Sequence, residues 1–318
     1  NTVVQGPDGN VWIGSRSEGL TGLEAPAGTE PPALIASALY PDGPFEGLFS
    51  DLAVDDDGVV WAGAIGSTAE SGFYRLDTDG QWTDYTRRTG LVTGSGYRHV
   101  HAGARGSLWA SSAGDGVAQV QPDGEVVEYD QTNSSLLPAS GFTDFLLIGG
   151  AATEADGTLW VTSTTASMPL NVRTPDGTWT ALPPSSCEGT TPTTALGPIF
   201  VDSFGNKWII VLQSGNLQIT RGVMVLDTGA SPTDPSDDTC QFIGQAGGAG
   251  QGLPSTTIMS ISEDREGQVW IGTSNGPAFV ISSSVVARDA TAIPIWPLCA
   301  NRSECTFMLE GQAINDNA

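Results

Sequence analysis

Short runs in which apolar and polar positions alternate recur along the whole chain. "FSDLAVD" (49–55) and "TIMSISED" (257–264) repeat with a period of two, the pattern of half-buried strands. Each leads into an acid–x–x–Gly turn, where glycine takes positive φ without steric cost. A second apolar run built around one tryptophan follows, and then a third strand such as "GFYRLD" (72–77). A further turn, "TDGQW" (78–82) or "PDGTW" (175–179), opens a fourth strand such as "WTDYT" (82–86). No stretch sustains the 3.6-residue period of a helix. Four short strands in roughly 50 residues predict an all-β fold, and specifically the blade of a β-propeller.

The phrase repeats six times: PDGNVWIGS (7–15), DDGVVWAGA (56–64), ARGSLWASS (104–112), ADGTLWVTS (155–163), SFGNKWIIV (203–211) and REGQVWIGT (265–273). Its tryptophans are Trp12, Trp61, Trp109, Trp160, Trp208 and Trp270, and glycine stands three residues before each, at Gly9, Gly58, Gly106, Gly157, Gly205 and Gly267. An acid stands six before the tryptophan in four copies, at Asp55, Glu154, Asp202 and Asp264. The tryptophans are expected to fill the gaps between neighbouring blades, where each indole removes about 150–250 Å² from water. Six complete units are predicted, at about 1–41, 49–88, 97–131, 145–184, 196–246 and 256–298, all within one propeller domain spanning 1–318. Residues 306–318 read as the start of a seventh unit. A ring must close to leave no open strand edge, so residues outside this sequence are expected to complete it. Because the chain opens inside a repeat, with no signal peptide, it is expected either to have been processed or to be part of a longer polypeptide.

Charge narrows the partners. The chain carries a formal net charge of −24 and a single lysine, Lys207. Such a surface repels phosphate backbones, and no basic patch relieves it, so nucleic-acid binding is excluded as a reading. No apolar run approaches the roughly 20 residues of a membrane-spanning helix. Four cysteines in a loop-rich acidic chain predict disulfides and an exported setting, since no C-x-x-C spacing suggests zinc. Cys299 and Cys305 flank a short loop and are expected to pair. Cys187 with Cys240 would close a loop worth about 4 kcal/mol in the chain-entropy model.

Candidate chemistry is sparse. The only histidines, His99 and His101 in "YRHVHAG" (97–103), fall on one face of a strand. They could hold a metal or supply a general base, but no third ligand or partner acid is evident, and a structural role is the simpler reading. Asp234, Asp237 and Asp238 crowd the "SPTDPSDD" loop and are weak calcium candidates beside an ordinary solvated turn. Arg87, Arg88 and Arg98 form the one local basic group, suited to an anionic glycan or lipid headgroup or equally to relieving surface charge. Nucleotide-binding, serine-hydrolase and zinc-protease motifs are missing, so no cofactor is expected. The loops 130–142 and 245–257 are long, polar and glycine-rich, suited to contacting a partner.

The six D-x-x-G-x-x-W-like copies resemble the two-component regulator propeller repeat. The run "FVDSFGNKWIIVLQSGN" (200–216), then "GVMVLDTGASPTDPSDDTCQFIG" (222–244), then "GLPSTTIMSISEDREGQVWIGTSNGPAFV" (252–280) resembles, over roughly 196–318, the PorZ-type proteins of the bacterial type IX secretion system. "WIIVLQSGN" departs from that family in lacking a glycine-rich run, and "SNGPAFV" departs in carrying Pro277. The resemblance implies a non-enzymatic propeller at the bacterial cell surface, associated with the outer membrane and contacting other secretion-system proteins. It also implies a part in presenting anionic lipopolysaccharide. The bare repeat is equally similar to the periplasmic, glycan-sensing propellers of hybrid two-component sensors. More distantly it is similar to streptogramin lyases, which would give His99 and His101 a catalytic part.

Overall fold

The computed structural model describes residues 2–5, 10–14, 20–24, 33–39, 43–45, 47–66, 68–69, 71–103, 106–183, 195–245, 252–281, 292–294, 306–309 and 312–315. There is no α-helix among them. The strands fall into successive antiparallel groups. β1 to β4 (Thr2–Gln5, Val11–Gly14, Leu20–Leu23, Leu34–Leu39) form one sheet in chain order, and β5 to β8 (Phe49–Val54, Val60–Ala64, Phe73–Leu76, Trp82–Tyr85) form the next. β9 to β12 (Tyr97–Ala102, Leu108–Gly114, Val117–Val120, Val126–Tyr129) and β13 to β16 (Leu146–Thr153, Leu159–Ser163, Leu170–Arg173, Trp179–Leu182) repeat the pattern. β17 to β20 (Leu196–Val201, Lys207–Gln213, Asn216–Asp227, Thr239–Ile243) and β21 to β24 (Ile258–Glu263, Gln268–Thr273, Gly276–Ile281, Ile293–Pro294) follow in the same way.

Two features differ from a simple series of separate units. The long β10 runs past its own partners, and Ala113 and Gly114 pair with Leu147 and Leu146, so the third and fourth groups join into one eight-stranded sheet. The segment read as one opening strand of a seventh unit instead holds two strands, β25 (Thr306–Leu309) and β26 (Gln312–Asn315), paired antiparallel and, among the described residues, only with each other. The wide spacing between Trp208 and Trp270 also has a local cause. β19 extends to 12 residues, with register shifts where it leaves β18, and an acidic loop precedes β20.

The core is a series of seams between successive groups. One cluster joins Trp61, Phe73 and Tyr85 to Tyr97, Val100 and Leu108, and the next joins Trp109 and Val117 to Leu146, Ile148 and Leu159. A third joins Trp160 and Leu170 to Ile199, Ile209 and Leu226, and a fourth joins Trp208 and Val225 to Ile258, Val269 and Ile271. One repeat tryptophan thus enters each of these four seams, and Trp160 and Trp208 are fully buried. At about 25 cal/mol per Å², each such indole contributes about 4–6 kcal/mol as an upper estimate. The side chain of Trp12 lies outside the described set, as do Gly9, Cys187, Cys299 and Cys305.

The first strands of successive groups run close together. A Cβ at Gly63 would stand 2.6 Å from the Tyr97 carbonyl oxygen, so the glycine two after Trp61 admits the neighbouring backbone. The equivalent Thr162 uses that proximity differently, donating its hydroxyl to the Gly197 carbonyl at 2.7 Å.

Candidate functional site

The acid–x–x–Gly turn is a compact device. Gly58, Gly106, Gly157, Gly205 and Gly267 all have φ between +75° and +97°, the region that favours glycine. At Asp202, one carboxylate oxygen accepts the Phe204 and Asn206 backbone N–H groups at 2.9 Å each, closing an Asx-type turn. The other accepts the Trp208 indole N–H at 2.8 Å. The same indole bond recurs as Trp61 to Asp55 at 3.0 Å, Trp160 to Glu154 at 2.7 Å and Trp270 to Asp264 at 2.6 Å. The acid six before the tryptophan therefore satisfies a buried or partly buried donor while it shapes the turn. The Trp270 N–H leads the bonds that hold the Asp264 carboxyl below its usual pKa.

Trp109 is the exception among the described repeats. Position 103 is glycine, and the indole edge packs onto it. A Cβ there would lie 2.9 Å from Trp109 Cδ1 and 3.0 Å from its Nε1.

These turns border a cleft of about 260 Å³ lined by Asp55, Asp56, His101, Thr153 and Glu154 among others. Its groups are largely committed. His101 Nε2 accepts the Thr153 backbone N–H at 3.0 Å and lies 2.9 Å from the Thr153 hydroxyl. Because Nε2 accepts a backbone proton, the ring is neutral with its own proton on Nδ1. Burial pushes the His101 pKa down to about 4, only partly offset by Asp51. Glu154 accepts from Trp160 and pairs at 2.8 Å with Lys207, which is buried, bonds Thr228 at 2.8 Å and lies over the Trp160 ring. His99 turns to the other neighbouring strand, its Nδ1 3.4 Å from Asp51 Oδ2. The two histidines thus brace β9 against β5 and β13 and do not converge on a common ligand.

Among the described residues, no three histidine, cysteine or carboxylate side chains are placed to hold a metal ion. The acidic loop named as a weak calcium candidate makes its own hydrogen bonds. Asp237 accepts the Ala230 N–H at 2.9 Å and Asp234 the Ser236 N–H at 3.0 Å, which makes this loop a self-bonded turn. Asp238 is pushed up to about 6 by burial and then by the Asp237 charge. Arg88 lies over the Phe45 ring at 4.8 Å, while Arg98 is exposed on β9 and its carbonyl accepts from Ser50. Cys240, on β20, is disulfide-bonded. The pairings expected for it and for Cys299 with Cys305 involve residues outside the described set.

Residues 252–275 match the two component regulator propeller family. The chain carries a propeller repeat of that family. No curated protein matches the chain. Among solved structures, PorZ, an essential bacterial surface component of the type IX secretion system of Porphyromonas gingivalis, is similar at a TM-score of 0.73 and 19% identity, over 96% of this chain and 42% of that one. The extracellular domain of the hybrid two-component system BT3049 of B. thetaiotaomicron is similar at 0.51 and 18%, over 96% and 37%. Virginiamycin B lyase of Staphylococcus aureus is similar at 0.52 and 15%, over 98% and 92%. At these identities the likeness establishes a propeller-type fold. The chain spans less than half the length of the first two.

Proposed function

We propose that the chain is a six-bladed propeller segment, with 306–315 belonging to a further unit, that serves as a non-enzymatic binding platform at a bacterial cell surface. In this reading it is exported, stays outside or at the outer membrane, and contacts other surface or secretion-system proteins as a PorZ-like component. Arg87, Arg88 and Arg98 would face an anionic glycan or lipopolysaccharide, and Cys187–Cys240 and Cys299–Cys305 would be its disulfides. The carrying observation is the likeness to PorZ at a TM-score of 0.73 over 96% of the chain, against 0.51 to 0.54 for the two-component ectodomains and the lyase that cover it comparably. The commitment of the His101 lone pair to the Thr153 N–H supports a role without catalysis.

A second reading is favoured by the repeat match at 252–275, a family defined on two-component regulators. There the chain would be the sensing ectodomain of a hybrid sensor. Surface labelling of intact cells of the source bacterium, with peptide mapping of the captured polypeptide, separates the two. Labelled protein that co-purifies with secretion components supports the platform. Peptides from a kinase domain in the same polypeptide would replace it with the sensor, and a cytoplasmic location would sink both.

A further inference from the structure

The Trp109 seam holds a groove that none of the roles above uses. It lies between the third and fourth groups, has a volume of about 170 Å³, and is lined by Ser107, Trp109, Gln119, Asp156 and Arg173, with Thr153 at its border with the larger cleft. Its lining brings together the N–H groups of Arg173, Trp109 and Gln119. Arg173 has no carboxylate partner among the described residues, and its Nε is buried with no hydrogen bond. Its guanidinium is held instead over the rings of Trp109, at 5.9 Å, and Tyr129, at 5.5 Å. The Trp109 N–H lacks the acid that caps the other described repeat indoles, because position 103 is glycine. Gln119 accepts the Tyr129 hydroxyl on its oxygen at 3.3 Å, which leaves its amide N–H₂ to donate. The one acid on the lining, Asp156, is exposed and accepts the Thr158 N–H at 2.8 Å.

A buried donor left without a partner, as Arg173 Nε is, is rare in folded proteins and calls for an acceptor. In a chain of net charge −24, a partly buried arginine resting on aromatic faces and not on an acid among the described residues is the sharper anomaly. A planar guanidinium with neighbouring N–H groups matches a carboxylate, which accepts two parallel bonds from the fork and a third from a flanking donor. The groove is smaller than the roughly 300–1,000 Å³ of pockets for drug-sized ligands, so it suits one small group.

We propose that this groove binds the carboxylate of a small ligand of about one sugar ring, with Arg173 as the anchoring fork and Gln119 and Trp109 as flanking donors. The site is separate from Arg87, Arg88 and Arg98 and does not depend on where the protein resides, so it can fail or stand apart from the surface reading.

The test is a titration of the 318-residue chain with D-glucuronate, following the indole N–H signals by NMR, with Trp109 assigned from Trp109→Phe. D-Glucose serves as the uncharged counterpart and sulfate as the non-planar oxoanion. Saturable movement of the Trp109 signal by glucuronate and not by glucose is expected. Arg173→Lys should weaken it about tenfold or more, since the fork is lost while the charge remains. Arg173→Gln should abolish it. Where either variant fails to fold by near-UV circular dichroism, Gln119→Leu decides, with weaker binding expected. No saturable shift with glucuronate, or unchanged binding in these folded variants, overturns the proposal. Sulfate binding as tightly as glucuronate overturns its assignment to a carboxylate.

Discussion

Trp208 and Trp109 occupy the same place in their repeats and sit in equivalent seams, yet their indole nitrogens meet opposite fates. Trp208 donates to a carboxylate that also closes the preceding turn, so one side chain satisfies the indole and two backbone donors. Trp109 has glycine at the equivalent position, and its edge packs on bare backbone. Both are buried, and each packs into the apolar cluster of its seam. The hydrophobic role of the repeat tryptophan is therefore separable from its polar one. Where the polar role lapses, the indole borders a groove that also holds the unpartnered Arg173 Nε.

The largest effect should come from removing the complete cap. Asp202→Ala removes the acceptor of the buried Trp208 indole N–H and of the Asn206 backbone N–H, each loss costing about 1–3 kcal/mol. A loss of about 3 kcal/mol or more in urea denaturation is expected. A loss within about 0.5 kcal/mol, typical of surface positions, would mean that the turn tolerates its absence.

Next comes the pH dependence of the neighbouring seam. His101 is held neutral, with a folded pKa of about 4 against 6.5 unfolded. In that window the unfolded chain binds the additional proton. This contribution to stability is complete above pH 6.5 and falls by about 1.4 kcal/mol per pH unit as pH drops towards 4, about 3 kcal/mol in all. His101→Asn should flatten that part of the profile. An unchanged slope would show that burial does not hold the His101 ring neutral.

The smallest effect is also the most diagnostic. Restoring the repeat's acid with Gly103→Asp should not create a fifth cap, because the new Cβ would collide with Trp109 and with Ser107 Oγ. A destabilisation of about 1–3 kcal/mol is expected in thermal or urea unfolding. A stabilised variant would mean that the Trp109 seam is merely an uncapped copy of the others.

Much of this architecture was legible in the sequence. Alternation gave the strands, and the glycine three before each tryptophan gave a turn whose described copies all adopt positive φ. The acids six before the tryptophan stood out as a regularity, but their partner did not. Nothing in the linear spacing of Asp202 and Trp208 says that a turn folds the carboxylate back onto the indole of the following strand. The histidines were visible as a pair, and strand periodicity put them on one face. Their separate engagement by Asp51 and Thr153 depends on which strands flank β9, which is tertiary information. The Asp234, Asp237 and Asp238 cluster was visible, but the loop N–H groups that take oxygens of Asp234 and Asp237 were not. The groove stayed hidden for a related reason. Arg173 is unremarkable in "LNVRTPDG", and only the seam brings Trp109 and Tyr129 beneath it.

The acid–indole bond is the claim on which the comparison stands, and a double-mutant cycle measures it directly. Trp208→Phe removes the N–H but keeps most of the ring, Asp202→Ala removes the acceptor, and the double variant removes both. The account predicts a coupling of about 1.5–3 kcal/mol from urea denaturation, as for a buried hydrogen bond to a charged group. Additive effects, with coupling indistinguishable from zero, would contradict it and reduce the repeat's acid to a turn residue.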